Sequence, residues 1–201
     1  MKHIIVLLLT VLTSQLSSQP TKKETVKTSF PTLKEVFYVL KSNHEIRHGE
    51  YEKTSRGKLI CKGQYEHGER SGIWEYFDTD QELTHKVDYA NFKLIFPKGE
   101  SSKSAEVLGG YSQLYQMIAY TMMYPAEARR MGTQGKVVVK FTVDKKGQLK
   151  NFIVTSSLGN GLDEEAIRAL KECKMDWFPA RNPNGEPVDS EVELPVTFRL
   201  G

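Results

Sequence analysis

One stretch of this chain leaves little choice of local structure. From Lys136 to Asp144, Val137, Val139, Phe141 and Val143 alternate with Lys136, Val138, Lys140 and Thr142. A period of two places one set on each face of a strand, and here one face is fully apolar. Asp144-Lys-Lys-Gly147 follows as a hairpin turn, with Gly147 free to take positive φ. Gln148 to Ser157 reads as the return strand. A hairpin with one greasy face needs a cover, and the flanking sequence supplies it.

Before the hairpin, Leu114, Met117, Ile118, Thr121 and Met122 share a helical stripe within Tyr111–Met123. Pro125 opens a short helix over Ala126–Met131, where a missing N–H costs nothing, and Gly132 and Gly135 stop it. After the hairpin, Asn160 and Asp163 stand in capping positions, and Asp163, Glu164 and Glu165 place negative charge in a first helical turn. Leu162, Ala166, Leu170 and Cys173 mark that helix's buried face. Trp177-Phe178-Pro179 is a bulky apolar plug, and Asn182 to Gly185 turns the chain. A last strand runs Val188–Leu200, with Val188, Val192, Leu194, Val196, Phe198 and Leu200 on one face. Pro195 lacks a donor, which places this strand at a sheet edge or on a bulge. The expected fold is α+β, a two-layer sandwich of a three-stranded antiparallel sheet and two helices.

The first half reads differently. Residues 20–34 are polar and read as a tether. From 35 to 96 the pattern is strand-like, and Gly49-Glu-Tyr51 recurs as Gly63-Gln-Tyr65 and, varied, as Gly72-Ile-Trp74-Glu-Tyr76. Glycine suits a turn and the aromatic covers a flat sheet face. This segment resembles MORN-type repeats, which form β-hairpin ribbons; an ordinary β-meander fits it equally. A small N-terminal hairpin or meander is expected, then a linker over 97–107.

Residues 1–19 read as a secretory signal peptide: Lys2 and His3, an apolar run from Ile4 to Leu12, then Ser17 and Ser18 at a cleavage site. The run is half the roughly 20 residues a membrane span needs. The 28 basic and 25 acidic residues are interspersed and leave a net charge of +3, which is no nucleic-acid footprint. Cys61 and Cys173 form neither a disulfide framework nor a metal site. His44 and His48 have i,i+4 spacing but no third ligand. No nucleophile–base set or phosphate loop appears, so neither an enzyme nor a cofactor is expected.

The order Gly109-Gly110, Tyr124-Pro125, Gly135 to Val143, Asp144 to Gly147, Leu162 to Ala166, Trp177 to Pro179 and Leu194-Pro-Val-Thr-Phe198 resembles the C-terminal domain of TonB-type energy transducers, over about residues 108–201. The resemblance implies a periplasmic module that grips the TonB box, a short peptide of a TonB-dependent outer-membrane transporter. The grip is strand addition to the last strand, here Glu191, Val192, Glu193, Leu194, Pro195, Val196, Thr197 and Phe198. It implies inner-membrane motor proteins as partners if residues 4–16 stay as an anchor; an open strand edge also allows a homodimer by exchange at the same edge, in competition with the peptide. Such transducers carry a long Pro-rich stretch; the eight prolines here are scattered. The alternative is an exported interaction or scaffold protein that pairs MORN-like repeats with a TonB-like dimerisation domain.

Overall fold

The computed structural model describes residues 19–29, 32–96 and 104–200. The expected leader lies, Gln19 apart, outside these residues, as does most of the expected linker. Among the described residues no helix is long and apolar enough to cross a membrane.

Seven antiparallel strands in sequence order make the first sheet: β1 (Thr21–Ser29), β2 (Thr32–Leu40), β3 (Asn43–Ser55), β4 (Lys58–Glu66), β5 (Glu69–Phe77), β6 (Leu83–Asp88) and β7 (Lys93–Phe96). This corrects two expectations. The segment is a meander, one of the two forms expected, but it is a large sheet of seven strands rather than a small one. Residues 20–34 are not a tether: β1 pairs with β2 along its whole length, from Thr21 opposite Leu40 to Ser29 opposite Thr32. Polar composition misleads here because a sheet edge with one wet face needs few apolar residues.

Gly63 also differs from its expected role. It lies inside β4, not in a turn, and a Cβ there would stand 2.3 Å from the Trp74 ring. Glycine therefore lets Trp74 lie flat on the neighbouring strand. The fully buried indole gathers Tyr51, Tyr65, Tyr76 and Tyr89 around it at centroid distances of 5.2–6.3 Å.

The chain then forms β8 (Glu106–Val107), α1 (Gly110–Thr121), α2 (Ala126–Met131), β9 (Gly135–Val143), β10 (Leu149–Ser156), α3 (Leu162–Glu172), β11 (Trp177–Phe178), β12 (Ala180–Arg181), β13 (Pro187–Val188) and β14 (Ser190–Phe198). The second sheet has the order β10-β9-β14, all antiparallel. Val137, Val139, Phe141 and Val143 are buried, as their alternation requires, and Leu194, Val196 and Phe198 join them from β14. Helices α1 and α3 cover that face with Leu114, Met117, Ile118, Leu162, Ala166 and Leu170. The described helices number three, not two, because the six-residue α2 stands as its own element. Residues 187–188, expected to open the last strand, pair with β12, so β14 begins at Ser190. Residues 106–107 are likewise not linker but the partner of β11.

Both sheets contribute to one continuous hydrophobic core. Arg70 on β5 is the main polar tie. It donates to Asp176 Oδ1 at 2.8 Å and to the Tyr89 and Tyr76 hydroxyls at 2.8 and 3.1 Å, and it stacks over Trp74. Lys53 Nζ donates to the Lys174 carbonyl, Arg181 to the Phe92 carbonyl, and Phe92 packs on Phe178.

Candidate peptide-binding edge

The C-terminal sheet has two outer edges, and they differ. Along β10 the pairing with β9 is interrupted between Lys150 and Ile153 and again between Val154 and Ser156, with Asn151 at φ 54°. Bulges of this kind spoil an edge as a template. β14 instead keeps unbroken register with β9 over nine residues, from Ser190 opposite Val143 to Phe198 opposite Gly135.

Pro195 fixes which way the β14 backbone faces. It stands opposite Val138, and the Val138 carbonyl accepts from Thr155 Oγ1 on the β10 side. Val138 therefore turns its polar groups to β10, and Pro195 turns away from β9. By alternation Glu191, Glu193 and Thr197 also point their N–H and C=O groups outward. The edge thus offers three N–H donors and four carbonyls, with one missing donor at Pro195. The eight residues expected to form the site, Glu191–Phe198, all lie on β14.

A cleft of about 440 Å³ runs along this edge, lined by Tyr115, Ile118, Ala119 and Met122 of the α1 region and by Lys136, Pro195, Val196 and Thr197. Helix α1 supplies the apolar wall. Tyr111 and Tyr115 are 48% and 40% exposed, with ring centroids 6.4 Å apart, so this side of the helix stays uncovered. The sequence pattern of α1 singled out its core stripe, Met122 included, and left Tyr115 and Ala119 without a role. Their signal was a second apolar line at i, i+4 and i+7, flanking the first.

The helix is held in place from three sides. Gly109 caps it at φ 96°, and its N–H donates to Nδ1 of the buried His85 at 3.3 Å. Arg56 on the first sheet stacks on Tyr120 at 3.8 Å. Glu165 of α3 accepts from the Met123 N–H and from Arg168, which also donates to the Thr121 carbonyl at 2.8 Å. Glu165 is therefore a buried strut, more than a first-turn charge. The expected caps of α3 are corrected too. Gly161 at φ 81° is the N-cap. Asp163 instead accepts from Ser157, Leu158 and Gly159 in the preceding loop, and the Asn160 amide donates to Thr133.

Charge is uneven along the edge. Lys140 bridges Glu191 at 3.0 Å. Lys136, Glu193 and Arg199 are exposed, and among the described residues none of them forms an ion pair. Elsewhere, Cys61 and Cys173 are buried free thiols. Among the described residues no group of three or more His, Cys, Asp or Glu is placed to hold a metal ion.

A family model for the Gram-negative bacterial TonB protein C-terminal matches residues 121–200. Residues 121–200 are thus similar to the TonB C-terminal domain family. Protein TonB of Vibrio cholerae is 33% identical over 78 residues, which are 38% of this chain and 31% of that protein. Protein TonB of Xanthomonas campestris is 37% identical over 78 residues, 38% of this chain and 34% of that one. Protein TonB of Haemophilus influenzae is 29% identical over 102 residues, 50% and 37% of the two chains. This chain thus spans about a third of the length of these curated relatives. The solution structure of the Helicobacter pylori TonB C-terminal domain aligns with 44% of this chain and 78% of that one, at 21% identity and a TM-score of 0.34. The matched residues include β14 and Lys136, together with the end of α1 at Thr121. Tyr115 and Ala119, and the seven-stranded sheet, precede the matched residues.

Proposed function

We propose that this protein is a periplasmic, TonB-like interaction module rather than an enzyme. Its C-terminal domain takes the TonB box of an outer-membrane transporter as a fourth strand against β14, in energy-coupled transport. The observation that carries this is the contrast between the edges: β10 is bulged, whereas β14 is regular, points free backbone groups outward and borders an apolar cleft. An extended peptide gains backbone bonds there, and alternate side chains enter the cleft. A handful of such bonds, at about 0.5–1.5 kcal/mol net each, gives reversible binding, which suits transient coupling.

The test is an NMR titration of a protein comprising residues 19–201 with a TonB-box peptide. Amide shifts are expected along Glu191–Phe198 and at Tyr115 and Ala119. Silence at those amides with millimolar peptide would sink the proposal. Contacts with inner-membrane motor proteins belong to the same reading if the N-terminus is retained as an anchor. Mass spectrometry of the mature N-terminus separates that form from one cleaved near Gln19.

The second reading is an exported scaffold protein without energy transduction, using MORN-like repeats and a homodimer through β14. What supports it is that buried residues of the seven-stranded sheet, Trp74 and Tyr76 among them, join those of the C-terminal domain in one cluster. Sedimentation over a range of concentrations decides the dimer.

A further inference from the structure

We infer that the β14 edge selects its guest by charge as well as by backbone, and that its preferred guest carries a basic and an acidic residue four positions apart with apolar residues between. This rests on the strand-addition reading above. Side chains of directly opposed residues in a sheet share a face. A guest residue opposite Val196 or Leu194 therefore points toward α1, where Tyr115, Ala119 and Met122 line the cleft with apolar surface. Guest residues opposite Glu193, Pro195 and Thr197 point to the outer face. There Glu193 and Lys136 stand exposed, and Lys136 lies opposite Thr197. Glu191 differs, because Lys140 already bridges it.

The outer face of the edge therefore presents one unpaired carboxylate and, four residues on, one unpaired ammonium. Lys or Arg beside Glu193 and Asp or Glu beside Lys136 and Arg199 complement it. Between them, opposite Pro195, the guest carbonyl finds no donor, so this position contributes least backbone affinity and tolerates a small polar residue.

A second copy of the chain fits less well. Two β14 edges paired about a two-fold axis bring two prolines into one ladder, leaving two carbonyls without donors. A guest peptide loses a single bond.

The experiment is a fluorescence titration of three labelled peptides against the protein comprising residues 19–201. They are Ser-Glu-Val-Thr-Val-Lys-Ser, which running antiparallel to β14 sets Lys beside Glu193 and Glu beside Lys136, its neutral form with Ser for both charges, and an acidic form with Glu at both. The first should bind about fivefold to tenfold tighter than the neutral peptide at low salt, and the gap should close at high salt. Glu193→Lys and Lys136→Glu, both at exposed positions, should each shrink the preference of the charged over the neutral peptide to about threefold or less. Equal binding of all three peptides overturns charge selection but leaves strand addition standing. No binding of any peptide overturns strand addition itself. A dimer that peptide fails to dissociate overturns the peptide as the occupant.

Discussion

At the scale of single residues, Gly147 shows how a turn glycine becomes indispensable. Its φ is 78°, and a Cβ there would lie 2.2 Å from the Trp177 carbonyl oxygen. The obstacle is backbone of β11 and cannot swing aside. Gly147→Ala should therefore cost about 2–4 kcal/mol, the sum of left-handed strain and a forced shift, read from the urea unfolding midpoint. In the same turn, Asp144 accepts from the Lys146 and Gln148 N–H groups, both at 2.9 Å, and from Lys150. Burial resists ionisation of Asp144, but these bonds outweigh it and hold the carboxyl below its ordinary value of 3.8. A depressed carboxyl adds stability that is complete above that value and is lost as pH falls through the folded one. The protein should thus weaken below about pH 4, and Asp144→Asn should flatten that part of the profile and lower stability at pH 7 by about 1–2 kcal/mol. Chemical denaturation at pH 3 and pH 7 reads both effects. The Gly147 turn was legible in the sequence; its clash with Trp177 was not, because those residues meet only in three dimensions.

At the scale of elements, β14 carries a parity that mutations can read. Residues in step with Pro195 face outward, and the residues between them bond to β9. Glu193→Pro removes an outward N–H that nothing within the fold uses. It should cost under about 1 kcal/mol of stability while weakening peptide binding severalfold. Leu194→Pro removes a ladder bond and a buried side chain, and should cost about 3 kcal/mol or more. Thermal unfolding and peptide titration of the two variants separate the roles. If both variants unfold alike, the assigned facing of β14 is wrong. The strand, its buried set and its edge position were all readable, because alternation and one proline encode them locally. The cleft was not, because Tyr115 and Ala119 reach it from a helix some eighty residues away in the chain.

At the scale of the whole molecule, the seven-stranded sheet and the C-terminal domain share one core. Arg70 and Asp176 are partly buried partners, and Arg70→Ala leaves that carboxylate, with the Tyr76 and Tyr89 hydroxyls, short of a donor. A loss of about 2–3 kcal/mol is expected, and hydrogen exchange should rise on both sides of the contact, at β5–β6 and at residues 174–178. Protection lost on the first sheet alone would argue for two independent units. The sheet also holds α1 through His85, Arg56 and Gly109, so it steadies the helix that lines the cleft. What the sequence alone determined was periodic: the β9–β10 hairpin, the apolar stripes of α1 and α3, the edge proline and the family they compose. Such patterns repeat every two or four residues and need no partner to be recognised. Only the tertiary structure decided that a polar stretch at residues 20–34 is strand, that Gly63 lies beneath Trp74, and that two sheets close on one core. Those outcomes turn on which surfaces meet, and burial against a distant segment leaves no local period to read.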